Sequence, residues 1–204
     1  GRLANSFTEY ADGQAAIVHS NVVTTEVRAL DASVEKEWLG VDDFSDMPDV
    51  LSFEVRGSDG SVRELELMKF SDGYHGELLP GLPYYAEDGL PIEYTVAEPD
   101  ALNGHYLVGT RVDRFHNDVS MSDDLFVQFY NAPYIDIPVE KVWDGGDAVM
   151  PSSVEVELHG SDGSKRRLTL AANDGWRGVF TGLPSYWDAD DDPSRCYPEK
   201  IEYT

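Results

Sequence analysis

The sequence predicts an all-β chain in which two copies of one antiparallel β-sandwich module follow each other. Three observations lead to this expectation. Tyr, Phe and Val are plentiful, apolar residues alternate with polar ones along short segments, and the pattern of one half returns in the other. Eighteen glycines and eleven prolines indicate many turns between short strands.

An internal repeat is the most informative feature of the chain. Six blocks of the first half return in the same order in the second, with a period slightly over one hundred residues. The paired blocks are 34–38 with 139–143 (VEKEW, VEKVW), 51–61 with 154–164, 65–67 with 168–170, 72–74 with 174–176, 81–83 with 182–184 (both GLP), and 92–95 with 201–204 (both IEYT). A period of this length indicates repeated domains rather than the turns of a solenoid.

Each block predicts one piece of a sandwich. Residues 51–55 alternate between apolar and polar side chains, which is the pattern of a half-buried strand. Ser-Asp-Gly-Ser at 58–61 predicts a tight turn in which Gly60 takes a positive φ, and 65–67 belong to the returning strand. Further turns are expected at 72–73 and 81–83, and an aromatic strand at 125–131.

These blocks divide the chain into three parts. Residues 31–134 are expected to form one complete module, and residues 135–204 a second copy that is truncated at its C-terminal end. Residues 1–30 are interpreted as the last strand of a preceding module or a linker, because GQAAIVHSN at 13–21 resembles the final strand of the first copy.

Charge and cysteine usage exclude several classes of function. With 39 acidic and 15 basic residues the net charge is −24, which opposes binding to nucleic acids and to anionic membrane surfaces. The single cysteine, Cys196, cannot form a disulfide within the chain. The sequence has no run of about 18 apolar residues, so no membrane insertion is expected in this fragment.

Taken together, the blocks resemble the Cna B-type repeat domains of Gram-positive surface proteins and pilins. The matching motifs are Lys-x-Trp at 36–38, Asp-Gly-Tyr at 72–74, Gly-Leu-Pro-x-Tyr at 81–85 and Ile-Glu-Tyr-Thr-Val-x-Glu at 92–98. The resemblance covers 34–134 in full and 139–204 in part. It implies an immunoglobulin-like sandwich in a secreted, cell-wall-anchored protein, where such modules lift an adhesive domain away from the cell.

The resemblance also implies a covalent crosslink. Many members of the family join a lysine of the first strand to an asparagine of the last through an isopeptide bond, assisted by an acidic residue. Lys36 matches the lysine, Glu98 the acid and Asn131 the asparagine. Lys141 is the corresponding lysine of the second copy, and Asn21 is the candidate acceptor of the preceding segment.

Elementary chemistry supports such a reaction in a folded core. A lysine is nucleophilic only when neutral, and burial lowers the pKa of an amine. Burial also favours the neutral form of a carboxylic acid, which lets Glu98 hydrogen-bond the amide oxygen of Asn131. Taken singly, Lys36 also fits a solvated edge-strand lysine, Glu98 a surface acid and Asn131 a turn residue. Asn103 and Asn117 are rival acceptors within the long stretch between Glu98 and Asn131.

Few other residues suggest chemistry. Asp188, Asp190 and Asp192 belong to an acidic insertion of the second copy and are a weak candidate for calcium, although a solvated insertion is the favoured interpretation. The five histidines lack metal-ligand spacing, and nucleophile, phosphate-loop and Cys-x-x-Cys motifs are absent. The sequence therefore predicts neither an enzyme nor a cofactor.

Three functions remain open. The favoured one is a mechanical spacer of a surface adhesin or pilus-like protein, whose partners are neighbouring modules and, through another domain, host extracellular matrix or glycan. The alternative is a module that binds such a ligand directly, through its loops or by strand addition. An exposed aromatic patch on the insertion at 185–198 would favour that alternative. A third possibility is an accessory module of a secreted enzyme.

Overall fold

The computed structural model describes residues 28–76, 78–98, 104–117, 122–145, 150–190, 192 and 195–204, with the backbone of four short strands before residue 28. The strands are β1 Arg2–Asn5, β2 Tyr10–Ala11, β3 Gln14–Ala15, β4 Val23–Glu26, β5 Ala29–Trp38, β6 Val50–Gly57, β7 Val62–Phe70, β8 Gly73–Gly76, β9 Leu79–Pro83, β10 Tyr94–Ala97, β11 His105–Asn117, β12 Ser122–Glu140, β13 Ser153–His159, β14 Lys165–Ala171, β15 Arg177–Pro184, β16 Tyr186–Asp188 and β17 Pro198–Lys200. A single turn of 3-10 helix at Ala172–Asp174 is the one helical element in these ranges.

This element list confirms the all-β fold class. Among the described residues, no helix has the length and apolar character that crossing a membrane requires. The segment before residue 28 contains two antiparallel pairs, β1 with β4 and β2 with β3. The interpretation of 1–30 as the tail of a preceding module stays a prediction.

Two facing sheets enclose the larger core. One sheet has the order β10-β6-β7-β8, and the other has the order β11-β12-β5-β9. The alternating pattern explains the packing, because β6 buries every second side chain against the facing sheet. The largest fully buried side chains here are those of Phe53, Val55, Leu67 and Leu125. The Phe53 and Phe129 rings approach to 5.2 Å between their centres.

One strand pair departs from the predicted antiparallel arrangement. β5 and β12 run parallel over nine register pairs, from Asp123 opposite Leu30 to Asn131 opposite Trp38. Parallel strands need a long connection between them, and the intervening strands β6 to β11 provide it. The first and last strands of the predicted first module are therefore direct neighbours.

The predicted turns are partly correct. Gly60 has φ of 86° in the turn after β6, as expected, and β7 returns antiparallel beside β6. The turn expected at 81–83 is wrong, because these residues lie in β9. Gly81 has φ of 74°, and its N–H donates to the Asp31 carboxylate at 2.8 Å. A glycine in a strand irregularity and one in a reversing turn have the same local sequence signal.

Strand β12 continues beyond Asn131 into the C-terminal region. Its last part pairs antiparallel with β15, from Tyr134 opposite Pro184 to Glu140 opposite Arg177. The predicted division between residues 134 and 135 therefore falls inside a continuous strand. A smaller core forms around Phe180 and Leu183.

The two copies of the repeat make the same local hydrogen bonds. The carboxylate of Asp59 accepts the Ser61 hydroxyl at 2.6 Å, and that of Asp162 accepts the Ser164 hydroxyl at 2.6 Å. Three further bonds match between the copies. The Tyr94 hydroxyl donates to Pro83 O and the Tyr203 hydroxyl to Pro184 O, both at 2.8 Å, and the N–H groups of Glu93 and Glu202 donate to Ser58 Oγ and Ser161 Oγ, both at 3.0 Å. The N–H of Gly81 donates to Asp31 at 2.8 Å, and that of Gly182 to Asp136 at 2.9 Å.

Candidate functional site: a buried Lys-Glu-Asn cluster

Lys36 occupies a core position of β5. The strand buries alternate residues, and Lys36 follows Ala32 and Val34 on the face that packs into the sandwich. Its side chain has 0% relative exposure. The interpretation of Lys36 as a solvated edge-strand lysine is therefore wrong: β5 lies between β12 and β9, and the ammonium group points inward.

Glu98 reaches the same point from the opposite sheet. It follows β10 directly, and its side chain is 10% exposed. Its Oε1 lies 2.7 Å from Lys36 Nζ. The separation is that of an ion pair, but the angles are not those of an aligned hydrogen bond.

Asn131 completes the cluster from β12. It is 2% exposed, and its Nδ2 donates to Glu98 Oε2 at 3.1 Å. Because Asn131 is opposite Trp38 in the parallel register, it lies one step along the same sheet face from Lys36. No donor among the described residues reaches the buried Asn131 Oδ1. One carboxylate therefore contacts both the lysine and the asparagine, while the amide oxygen is left unsatisfied.

Burial changes the protonation of the lysine. Removal from water lowers the pKa of Lys36 from its ordinary value of 10.5 to about 8, although the adjacent Glu98 raises it in part. At pH 7 roughly one lysine in ten is then neutral, compared with roughly one in three thousand at the ordinary pKa. The site thus populates the nucleophilic form of the amine at neutral pH.

Aromatic side chains surround the cluster. Lys36 Nζ lies 4.3 Å from the centre of the Trp38 ring, which in turn packs edge-on against His105 at 5.0 Å. The Tyr74 ring lies 6.2 Å from the Trp38 ring between their centres. The Lys-x-Trp spacing could have indicated the cation–π contact, since residues two apart share one face of a strand.

This arrangement contains the parts of an amide exchange. It holds a nucleophilic amine, an amide carbonyl and a carboxyl group that touches both, in a site with little water. Asn21 and Asn103 lie outside the described residues, as does the side chain of Asn117.

The second copy does not reproduce the site among its described residues. Lys141 is exposed, although its Nζ lies 4.8 Å from the Trp143 ring in the same relation as Lys36 to Trp38. In the described part of the chain, no parallel strand lies beside Lys141 in the way that β12 lies beside Lys36. Lys141 therefore stays exposed, whereas Lys36 is buried.

The acidic insertion uses its carboxylates in local turns. Asp188 Oδ1 accepts the backbone N–H groups of Asp190 and Tyr197, both at 3.1 Å, and Asp190 accepts that of Asp192 at 3.0 Å. Across the described residues, no group of three or more acidic, histidine or cysteine side chains is placed to hold a metal ion. The Cys196 thiol is buried, which raises its pKa to about 12, and the neighbouring Asp188 adds to this effect.

Comparison with known proteins gives a family match for one part of the chain. Residues 137–202 match the family model of the Cna protein B-type domain. The sequence of the second copy is therefore that of a Cna B-type domain. This match confirms the family resemblance stated from the sequence. The match covers the second copy, whereas the Lys36 cluster lies in the first. The likeness of the first copy to this family therefore depends on the internal repeat between the two copies.

Solved structures with similarity to this chain come from surface proteins. A single B repeat unit (B1) of the collagen-binding surface protein Cna of Staphylococcus aureus is 19% identical, with 88% of this chain and 84% of that chain covered and a TM-score of 0.32. The two-repeat B1B2 structure of the same protein is 20% identical, with 98% and 48% covered and a TM-score of 0.32. The pilus adhesin SpaC of Lactobacillus rhamnosus GG, in its open conformation, is 17% identical, with 87% and 23% covered and a TM-score of 0.34.

These TM-scores reflect weak overall superposition, so the assignment of the Cna B-type domain rests on the sequence match at 137–202. This chain spans about half of the B1B2 chain and about a quarter of the SpaC chain. No curated protein matches the chain.

Proposed function

We propose that this chain is a stalk segment of a secreted, cell-wall-anchored surface protein of a Gram-positive bacterium. In this proposal two Cna B-type modules, 31–134 and 135–204, act as spacers, and the first is locked by an isopeptide bond between Lys36 and Asn131. The role is structural, without turnover chemistry. Its partners are neighbouring modules and, through another domain, a host matrix protein or glycan.

The matched hydrogen bonds support the tandem organisation. Both copies fix the same turn with the same Asp-Ser pair, and in both the tyrosine hydroxyl of the IEYT block donates to the proline carbonyl of GLP. The Asp-Ser bond is local, but the tyrosine bond joins residues 11 positions apart in the first copy and 19 in the second, so a shared turn motif alone would not produce it. They are the expected result of one fold used twice.

The buried cluster is the observation that carries the crosslink. A charged lysine is costly to bury, and a core position on β5 would ordinarily hold an apolar residue. Lys36 is instead fully buried beside a carboxylate that also contacts Asn131. A reaction that turns this lysine into a neutral amide removes the cost permanently.

The proposed reaction is balanced within the cluster. Lys36 transfers a proton to Glu98 across the 2.7 Å contact, which gives a neutral amine and a neutral acid. After the Asn131 amide rotates, the acid donates a hydrogen bond to Oδ1, for which the described residues provide no donor in the unreacted site. The amine attacks Cγ, the Cγ–Nδ2 bond breaks, and protons relayed by Glu98 let the nitrogen leave as ammonia. The product is an Nζ–Cγ amide.

The strand geometry gives the bond a mechanical role. Because β5 and β12 are parallel, tension applied to the start of β5 and the far end of β12 shears their ladder. A bond from Lys36 to Asn131 carries the tension directly from one strand to the other. Residues 37–130 then lie outside the path of the force and cannot be extended.

Single-molecule stretching of the chain through its ends tests this function. Without the bond, unfolding of the first module releases the 94 residues between positions 36 and 131, or roughly 330 Å of contour length. We expect this step to be absent in the wild type and present in Lys36→Met, which keeps an apolar side chain of similar length. Unfolding of the second module is the internal reference in both proteins. A 330 Å step in the wild type would contradict the proposal.

Direct ligand binding is the second candidate, and one surface favours it. Met68, Phe70 and Leu78 are each about half exposed along a groove between β7 and β9. Binding of a matrix protein that is lost in Phe70→Ser would support this alternative. The insertion gives it less support, since Cys196 and Tyr186 pack against the first copy.

A further inference from the structure

The second copy contains an insertion that the first lacks. Between its GLP and IEYT blocks lie residues 185–200, sixteen residues, where the first copy has residues 84–91, eight residues. We call residues 185–200 the clasp; 185–190, 192 and 195–200 of it are described. Strands β16 and β17 pair antiparallel and form its base.

The clasp is hydrogen-bonded to the first copy at two points. The Tyr106 hydroxyl, on β11, donates to the Tyr186 carbonyl at 2.6 Å and accepts the Tyr186 N–H at 2.7 Å. Ser185 Oγ donates to the Pro133 carbonyl at 2.6 Å, and Ser185 is buried. One tyrosine hydroxyl thus satisfies both backbone groups of one residue of the other copy. Such a pair of hydrogen bonds holds Tyr186 in one position and also stabilises the contact.

Close packing adds a third point of contact. Gly109 lies in β11 where the clasp crosses it, and a Cβ at this position would be 2.6 Å from Cys196 Sγ and 2.8 Å from Asp188 Oδ2. The φ of Gly109 is not in the left-handed region, so the glycine provides space rather than an unusual backbone conformation. Cys196 is only 5% exposed in this contact.

We propose that the clasp locks the two modules in one fixed relative orientation. Strand β12 is the one strand through which the chain passes from the first module to the second. The clasp adds a second attachment between the modules, at β11 beside that strand. Two attachments at separate points oppose bending of one module relative to the other, whereas a single attachment does not. The partner of this surface is therefore the preceding module of the same chain. The inference rests on the proposed tandem organisation and is independent of the isopeptide bond.

The thiol of Cys196 reports the state of the clasp without any label. It is the single cysteine of the chain, and it is covered in the closed state. Reaction with dithiobis-nitrobenzoic acid then requires the clasp to open. Tyr106→Phe removes both hydrogen bonds of the hydroxyl, so we expect the reaction rate to rise roughly tenfold or more. Tyr85→Phe, at an exposed tyrosine of the first copy, is the control and should leave the rate unchanged.

A wedge variant tests the same contact by size. Gly109→Val places a side chain against Cys196 and Asp188 while keeping a residue that suits a strand. We expect a larger rate increase than in Tyr106→Phe, and none in Leu107→Val, an exposed neighbour on β11. Unchanged amide chemical shifts in β6 and β7 show that the first module is still folded in the variant.

Residual dipolar couplings measure the orientation itself. In the wild type we expect the amides of the two modules to fit one alignment tensor, and in Gly109→Val to need two. The clasp is overturned if wild-type Cys196 reacts as fast as in denaturant, or if both variants leave the rate and the couplings unchanged. If the wild type has both modules folded but its couplings need two alignment tensors, the clasp proposal is wrong and the tandem organisation is unaffected. If the amide shifts of the second copy are not dispersed, that copy is unfolded, and both the clasp proposal and the tandem organisation are wrong.

Discussion

The substitution Glu98→Gln isolates the proposed chemistry from the packing of the core. Glutamine has nearly the shape of glutamate and can still accept the Asn131 N–H, but it cannot take a proton from Lys36. We therefore expect the chain to fold without the crosslink. Glu93→Gln is the matched control, because Glu93 lies five residues earlier in an exposed ion pair with Arg114 at 3.4 Å.

The expected loss of stability follows from the loop that the bond closes. About 95 residues separate Lys36 from Asn131, and the chain-entropy relation for crosslinks assigns such a loop about 4–5 kcal/mol. For a domain of this size each kcal/mol shifts the melting temperature by about 4–8 °C. The first module of Glu98→Gln should therefore melt roughly 15–40 °C below the wild type, while Glu93→Gln changes the melting temperature little.

Calorimetry and intact mass on the same samples complete this test. Glu98→Gln should retain the ammonia that the wild type has lost. A variant that still loses ammonia to the wild-type extent would refute the role of Glu98 as proton carrier. A variant that lacks the bond yet melts with the wild type would refute the stabilisation that the loop length implies.

Three further predictions follow from burial, backbone geometry and exposure. In Asn131→Ala, Lys36 cannot form the bond and stays a free amine. Urea titrations should then show the free energy of unfolding rising by about 3 kcal/mol between pH 8 and 10.5, because in this range the unfolded lysine binds a proton that the folded lysine does not. The wild type, in which Lys36 is an amide, should show no such rise. Gly60→Ala and Gly163→Ala, at φ of 86° and 82°, should each destabilise their own copy by about 1 kcal/mol in thermal melts, and unequal effects would argue against equivalent turns. Acylation followed by peptide mapping should modify exposed Lys141 and leave Lys36 untouched, whereas equal modification would contradict the burial of Lys36.

Local pattern predicted much of the fold, because strands and tight turns depend on neighbouring residues. The alternation at 51–55 and the glycine at position 60 correspond to β6 and its turn. The parallel pairing of β5 with β12 was not predictable in this way, since nothing in either segment specifies its distant neighbour. The continuous strand through Asn131 and Tyr134 was also missed, because the change of partner leaves the backbone extended.

The residues of the site were identified through the family resemblance rather than through their own pattern. Lys36, Glu98 and Asn131 each fit a surface position when taken alone, and only the fold shows that two sheets bring them to one carboxylate. The clasp was missed for a related reason. Its acidic composition indicated a solvated loop, whereas its contacts are made by Ser185, Tyr186 and Cys196.

The intact mass of the wild-type chain, followed by peptide mapping, tests the central claim most directly. The account predicts a mass lower than that of the sequence by one ammonia, and a branched peptide that joins Lys36 to Asn131. A full, unmodified mass in correctly folded protein, or a branch that uses another asparagine, would contradict it.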